Sequence, residues 1–371
     1  MVQLEFFPSR TMTIYIAKMF AVRIVAVLLM LVLVLQMLDL LGESGKVLGA
    51  PGNGQAQLLT YVSLRLPQLV SRFLPYSVLL ATIITLMGLN QNSEVIAMKA
   101  AGLSAHQVLA PLFLVAAVTS AATFAFNERV VTRSSATLKA WQAVSYGAVP
   151  VDSGVKANVW LQDGSSVLFA KSITGPITNG GKAMVMTGPS WFRRDATGMV
   201  TEIVTANTAV YANPGWRFDA PVAFDVQSAR KSALPGGQVY ARSVEPAQVL
   251  ISKVDADAES LPQLARSIAA VREAGHRTSE LEGKWWHKLS GPLSAMLMPL
   301  LGATAAFGLA RSGHMFIRAV IGMALGFAYF VVDNAALALG NFGGYPPVLA
   351  AWAPFLLFLL IGETVLIRTE E

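Results

Sequence analysis

Residues 14–41 read IYIAKMFAVRIVAVLLMLVLVLQMLDLL, an apolar run whose charged or amide side chains are only Lys18, Arg23, Gln36 and Asp39. A helix needs roughly 20 apolar residues to cross a hydrocarbon core, and this run supplies them. Similar runs at 73–89 and 108–126 complete a first cluster, and runs at 289–309, 319–339 and 348–367 form a second. A long stretch rich in polar and β-forming residues separates the two. The arrangement predicts an α-helical membrane protein with six transmembrane helices, three on each side of an inserted β domain.

Composition agrees. The chain is 54% hydrophobic and 13% charged, against about 25% charged for an ordinary soluble domain, and its mean hydropathy is +0.53. The first apolar run exceeds a signal-peptide core and lacks a small-residue cleavage site before the polar stretch 42–57, so it is expected to be retained. Cysteine is absent, which excludes disulfides, thiolate metal sites and cysteine nucleophiles. His106, His276, His287 and His314 lie far apart and outside any metal-ligand pattern. No metal or cofactor is expected.

The net charge of +6 does not point to nucleic acid, because the basic residues gather at the ends of apolar runs, where anionic lipid is the simpler partner. One set of ends carries Arg10, Lys18, Arg23, Lys99, Arg311, Arg318 and Arg368. The opposite set carries Lys46, Arg65, Arg72, Arg129, Arg133, Lys139, Lys284 and Lys288. The positive-inside rule therefore gives no decisive orientation. Singly, each cation of the second set suits a snorkelling helix end; together they form a basic belt that suits an anionic ligand with phosphate or carboxylate groups.

In the inserted region, alternating residues flank Asp163-Gly164 within 155–170, a hairpin signal. Further β-rich pieces follow at 183–192, 202–212 and 216–226, which predicts a small sandwich or jelly roll. Leu261, Leu264, Ala265, Ile268 and Val271 then recur at helical spacing before Gly275. The expected divisions are 1–128 for the first three spans, with a short helix at about 92–102, and 129–252 for the β domain. Residues 253–283 form the connecting amphipathic helix and linker, and 284–371 the last three spans.

Pro67, Pro75, Pro292 and Pro299 fall in or beside apolar runs, where they suit either helices that splay and close or static kinks. Asp39, Asp333 and Glu363 are acids in or beside apolar spans, and such groups face a cavity or a partner. The sharpest local motif is Asn92-Ser93-Glu94 opening a short helix that closes at Gly102. Its length is marginal for an isolated helix. Val95 and Met98 share a face suited to a hydrophobic groove, with Glu94 at the rim; an interfacial connector is the plainer alternative.

The run 75–88, then Ser93-Glu94 with Met98, Ala101 and Gly102, resembles the membrane-domain signature of the LptF/LptG lipopolysaccharide export permeases. The segment 286–294 (WHKLSGPLS), followed by Phe307-Gly308 and Arg311-Ser312-Gly313, is similar to that family's fourth span and inner loop. Asp39-Leu40-Leu41 and Tyr345-Pro346-Pro347 resemble the LptG branch more than the LptF branch.

The resemblance implies the transmembrane half of an ABC exporter in the bacterial inner membrane. An LptF-like permease would pair with it on an LptB-like ATPase dimer. The inserted domain would be a periplasmic β-jelly roll joined to an LptC-like bridge protein, and lipopolysaccharide would be the cargo. The chain has no G-x-x-x-x-G-K-[ST] loop, so nucleotide would be handled by the partner.

The resemblance also marks ligand-contacting cations after the first and third spans. Where relatives carry several lysines, this chain has Gln36, Gly42 and Glu43, leaving Lys46. The ligand contacts it implies are Lys46, Arg133, Lys139 and Lys288 with the apolar pair Phe73 and Leu74; the basic belt adds Arg65 and Arg72, with Asp39 organising nearby cations, and Glu94, Val95 and Met98 are expected to couple to the ATPase. Two other classes compete: a scaffold that holds lipid or an ATPase without transport, and an intramembrane hydrolase. No G-x-S-x-G elbow or paired intramembrane acids support the second.

Overall fold

The computed structural model describes residues 7–143, 145–147, 156–174, 184–195, 197–245, 254–273, 275–307 and 315–368. Gly308 and Arg311-Ser312-Gly313, quoted for the family resemblance, lie outside the described residues, as do residues 155 and 183 at the edges of two expected strands.

The first half is helical: α1 (Arg10–Gly49), α2 (Gln55–Gln91), α3 (Glu94–Ala100), α4 (Ala105–Phe126), a π turn (Asn127–Val131) and α5 (Thr132–Ala143). After the sheet come α6 (Leu261–Glu273), α7 (Ser279–Phe307), α8 (Met315–Asn341) and α9 (Pro347–Arg368). Among the described residues five segments are long and apolar enough to cross a membrane: α1, α2, the continuous run Ala105–Gln142, Val320–Asn341 within α8, and α9. The fourth expected span lies in α7, whose first turns hold Glu280, Glu282, Lys284, His287 and Lys288 before its apolar part begins.

α7 is central, packing against α2, α4, α8 and α9. Val78, Leu86, Leu109, Leu112, Met298 and Leu301 form the shared core. Apolar surface gains little by leaving lipid, so contact between such helices depends on close approach at small residues. A Cβ on Gly326 of α8 would lie 2.1 Å from Leu79 Cδ2 of α2, and one on Gly302 of α7 2.7 Å from Thr82 Cγ2. Glycine lets these helices meet there. α1 lies on the flank, with Leu29, Leu33, Met37 and Leu41 exposed at i, i+4 spacing along one face.

The third apolar helix continues past residue 128, where the expected first division ends. It passes through the π turn into α5, and the first described strand begins at Lys156. Leu138 and Trp141 hold α5 by packing with Val47 of α1 and Tyr61 of α2, so tertiary burial extends a helix whose own sequence is not strongly apolar.

Among the described residues the inserted region is one nine-stranded antiparallel sheet: β1 (Lys156–Asp163), β2 (Ser166–Thr174), β3 (Val185–Arg194), β4 (Val200–Thr205), β5 (Thr208–Ala212), β6 (Gly215–Asp219), β7 (Val222–Asp225), β8 (Arg230–Ala233) and β9 (Val239–Tyr240). The hairpin closes one residue later than Asp163-Gly164, since Asp163 pairs with Ser166 around Gly164-Ser165, with Gly164 at φ +60°.

β4 and β5 share one register on β3 from Val185 to Arg193, with a shift between Arg193 and Arg194 at the far end, and β6 and β7 share one on the β5 and β4 edge. Gly188 N–H bonds Asn207 O at 2.8 Å and Ala206 N–H bonds Pro189 O at 3.1 Å, carrying the ladder across the break. Each pair is therefore one long strand, creased at Ala206-Asn207 and at Ala220-Pro221, facing Gly188-Pro189 within β3. The described strands form a creased meander between neighbours, and the crossovers expected of a jelly roll are not among them. Val159, Leu168, Met186, Val204, Trp216 and Phe218 fill its apolar face.

α6 matches the expected stripe: Leu264, Ile268 and Val271 are buried, and it packs on α7.

Candidate functional site

The cations of the belt meet where α1, α2, α5 and α7 reach the sheet end of the bundle. Asp39 of α1 is gripped from α2: Arg65 Nη2 lies 2.9 Å from Asp39 Oδ1, Arg65 Nε 3.2 Å from both carboxylate oxygens, and Tyr61 Oη donates to Oδ2 at 2.5 Å. Arg65 Nη1 also donates to Gln68 Oε1 at 2.7 Å, and Gln68 Nε2 to Ser135 Oγ of α5 at 2.9 Å. Asp39 and Arg65, both expected on the ligand, thus satisfy each other and tie three helices together.

One turn on, Glu43 accepts from Lys46 Nζ and from Tyr146 Oη, each at 2.8 Å. Burial pushes the Tyr146 phenol up to about 12. Lys46 is 66% exposed despite its ion pair. Gln36 is buried, and its amide has no hydrogen-bond partner among the described residues.

Arg72, Arg129 and Arg133 are exposed. No ion pair joins them to other described residues. Phe73 and Leu74 are half-buried beside Pro75, and Leu74 packs against the bundle core. Phe73 leads through Tyr76, at a ring separation of 5.8 Å, to Phe330 of α8, stacked on Tyr76 at 3.8 Å. The aromatic step places an apolar wall next to the cations.

The lysines differ from the arginines in being matched by acids. Lys139 Nζ lies 2.6 Å from Asp255 Oδ2 and 3.5 Å from Asp257 Oδ2. Lys288 Nζ lies 3.8 Å from Glu128 Oε1, both side chains only 17% exposed. Glu128 sits in the π turn, a distortion often found at functional positions, and its Oε2 accepts from Leu261 N–H at the start of α6 at 2.8 Å. Trp285 Nε1 of α7 donates to Leu261 O at 3.3 Å, so one residue of the linker helix is held from both sides.

At the opposite end, α3 starts differently from the expected cap. Ser93 takes φ +58° and its side chain makes no cap bond. Its carbonyl instead accepts from Ala97 N–H at 3.0 Å. The stop is as expected: Gly102, at φ +89°, donates to Lys99 O and Leu103 N–H to Met98 O, a Schellman motif. Val95 and Met98, expected on a face for a partner's groove, are buried in the chain's own bundle core, where they seat the helix. Ile96 is 65% exposed, and Glu94 accepts weakly from Tyr15 Oη at 3.5 Å and from Asn92 Nδ2 at 3.2 Å.

Two pairings escaped sequence reading. His287 of α7 meets Asp333 of α8 at 3.0 Å, and His106 of α4 meets Glu363 of α9 at 2.7 Å. The usable signal was general: a carboxylate in an apolar span needs a partner, and this chain has only four histidines.

Apolar helices long enough to span a bilayer, an inserted antiparallel sheet and cations near where the two meet define a multi-pass membrane protein. The sequence model of the family described as lipopolysaccharide export system permease LptF/LptG matches residues 14–368, and the chain belongs to that family. It is similar to the lipopolysaccharide export system permease protein LptG of Escherichia coli (strain K12), 26% identical over 365 residues, covering 95% of this chain and 97% of the relative. The LptG of Haemophilus influenzae is 23% identical over 324 residues, covering 85% and 87%. Both fall on the side of the family to which Asp39-Leu40-Leu41 and Tyr345-Pro346-Pro347 point.

Proposed function

We propose that the chain is an LptG-type permease subunit of an ABC exporter, which extracts lipopolysaccharide from the bacterial inner membrane and passes it to a periplasmic bridge on the way to the outer membrane. The observation that carries the reading is the family match across residues 14–368. In this reading α7 is the fourth of six spans, the sheet lies in the periplasm and α3 in the cytoplasm. An LptF-like permease stands beside the chain, an LptB-like ATPase dimer lies beneath α3, and an LptC-like protein continues the path from the sheet.

The ligand-binding roles divide by how each cation is held. Arg72 and Arg133 carry uncompensated charge for a phosphate. Lys46 is exposed beside Glu43 and can add one, whereas Lys139 and Lys288 are less exposed and already matched by carboxylates. Phe73 and Leu74 offer the apolar wall for acyl chains. Asp39 and Arg65 fix the geometry of the junction. At α3, Glu94 and Ile96 meet the ATPase, and ATP-driven closure moves the spans so that the cavity between permeases contracts. Exposed ion pairs contribute only ~0–1 kcal/mol each, and acyl chains leaving a bilayer gain little, so outward movement needs the partner's hydrolysis.

A photocrosslinking residue at Arg133 in the assembled exporter tests the reading. Lipopolysaccharide adducts should form without ATP, fall with ATP and persist in a hydrolysis-dead complex. Adducts indifferent to ATP hydrolysis would favour a non-transporting scaffold, and no adduct in an active complex would move the lipid path elsewhere.

A further inference from the structure

Residues 255–259 read DADAE, and they form a strap over the basic layer. Ala256 is buried in a cluster with Leu264 and Ile268 of α6. The flanking Asp255 and Asp257 stay partly exposed. Asp255 and Asp257 share the ammonium of Lys139 at 2.6 and 3.5 Å. Their charges, with that of Glu259, also act on Lys288, whose nearest acid is Glu128. They act on Lys284 as well, which pairs with Glu280 at 2.9 Å. Asp255 Oδ1 accepts from Asp257 N–H at 3.1 Å, and Ala258 N–H donates to Asp255 O at 3.0 Å, so the strap is a defined turn.

We infer that Asp255 and Asp257 determine which lipid the basic layer accepts: a lipid bearing two or more phosphates displaces them, and a singly charged phospholipid does not. This rests on the reading that the layer binds the exported lipid.

Lys139 is already matched by two carboxylates. A single phosphate that replaces one of them sits beside the other, and the like charges repel. A tethered carboxylate also returns at a high effective concentration, of order millimolar for a short flexible tether. A polyanion escapes both limits, because it engages Lys139, Lys288 and the unpaired arginines together. The pairs are only half-buried, with Lys139 42% exposed, and pairs of that kind are individually weak, so displacement is accessible. The strap thus sets a threshold in charge number.

The test uses the full chain in the assembled exporter, with a photocrosslinking residue at Thr137 on α5. Nanodiscs hold phosphatidylglycerol and bis-phosphorylated lipid A in equal amounts, and the ratio of adducts is read. Wild type should favour lipid A by about tenfold, and Asp255→Asn with Asp257→Asn should lower this to about twofold by raising phosphatidylglycerol adducts. Asp255→Glu with Asp257→Glu should keep the wild-type ratio. An unchanged ratio in the asparagine variant overturns the strap's role alone. So does loss of both adducts in an intact complex, which would make the strap a scaffold. Wild type that labels neither lipid overturns the lipid-binding reading and the strap with it.

Discussion

His287 Nε2 and Asp333 Oδ2 stand 3.0 Å apart and join α7 to α8, with the Asp333 side chain 9% exposed. Tyr76 of α2 stacks on Phe330, less than one turn before Asp333, so three helices converge on this pair. An acid at such a position is stable only when matched. Asp333→Ala leaves the imidazole unpaired and should lower stability by about 1–3 kcal/mol. Asp333→Asn keeps an acceptor and should lose about half as much. Thermal unfolding in detergent measures both. The double variant with His287→Ala should lose little more than either single variant; fully additive losses would make the contact incidental.

Arg65 reaches Asp39 with Nε and Nη2 as a fork, a geometry that lysine does not reproduce. Arg65→Lys should therefore destabilise the α1 and α2 junction nearly as much as Arg65→Gln, by about 1 kcal/mol. Lipid crosslinking from Arg133 should change little in either variant. Stability that stands while the adduct falls would put Arg65 on the ligand itself.

The helical half of this architecture was legible because hydropathy is local: the runs at 14–41, 73–89 and 348–367 fall inside α1, α2 and α9. The strands are legible for the same reason, although alternation runs through 202–212 without marking the crease at Ala206-Asn207. What stayed hidden depends on distant contacts. α5 continues past the π turn because Trp141 is buried against α1 and α2, and nothing local to 132–143 announces that. His106 and Glu363 are 257 positions apart, and no spacing rule links them. Asp255 and Asp257 look like any solvated linker acids until the fold sets them on Lys139. The chain's strand order was equally silent, since alternation marks a strand without saying which neighbour it takes.

Gly326 meets Leu79 where α8 crosses α2. Its absent Cβ would lie 2.1 Å from Leu79 Cδ2 and 3.2 Å from Cδ1. Gly326→Ala should force Leu79 from its rotamer and cost about 1–3 kcal/mol. Adding Leu79→Ala should recover part of that loss, because the space opened fits the new methyl. A single variant as stable as wild type in detergent unfolding would show that the two helices separate more easily than their packing implies.

α3 offers the cleanest separation of fold from coupling, because adjacent residues face opposite ways. Val95 is buried and Ile96 is 65% exposed. Val95→Asp puts a charge into the bundle core and should destabilise the chain by several kcal/mol, lowering its abundance in the membrane. Ile96→Asp leaves the core untouched, and surface changes of that kind stay within about 0.5 kcal/mol. Its stability should match wild type. If α3 receives the ATPase, Ile96→Asp should still cut co-purification of the ATPase or uncouple hydrolysis from export, as should Glu94→Ala. Ile96→Leu, which restores an apolar contact, should regain most of the coupling. A folded Ile96→Asp chain with wild-type ATPase binding and export would remove this face of α3 from the coupling path, leaving the helix as the connector that its buried Val95 and Met98 already make it.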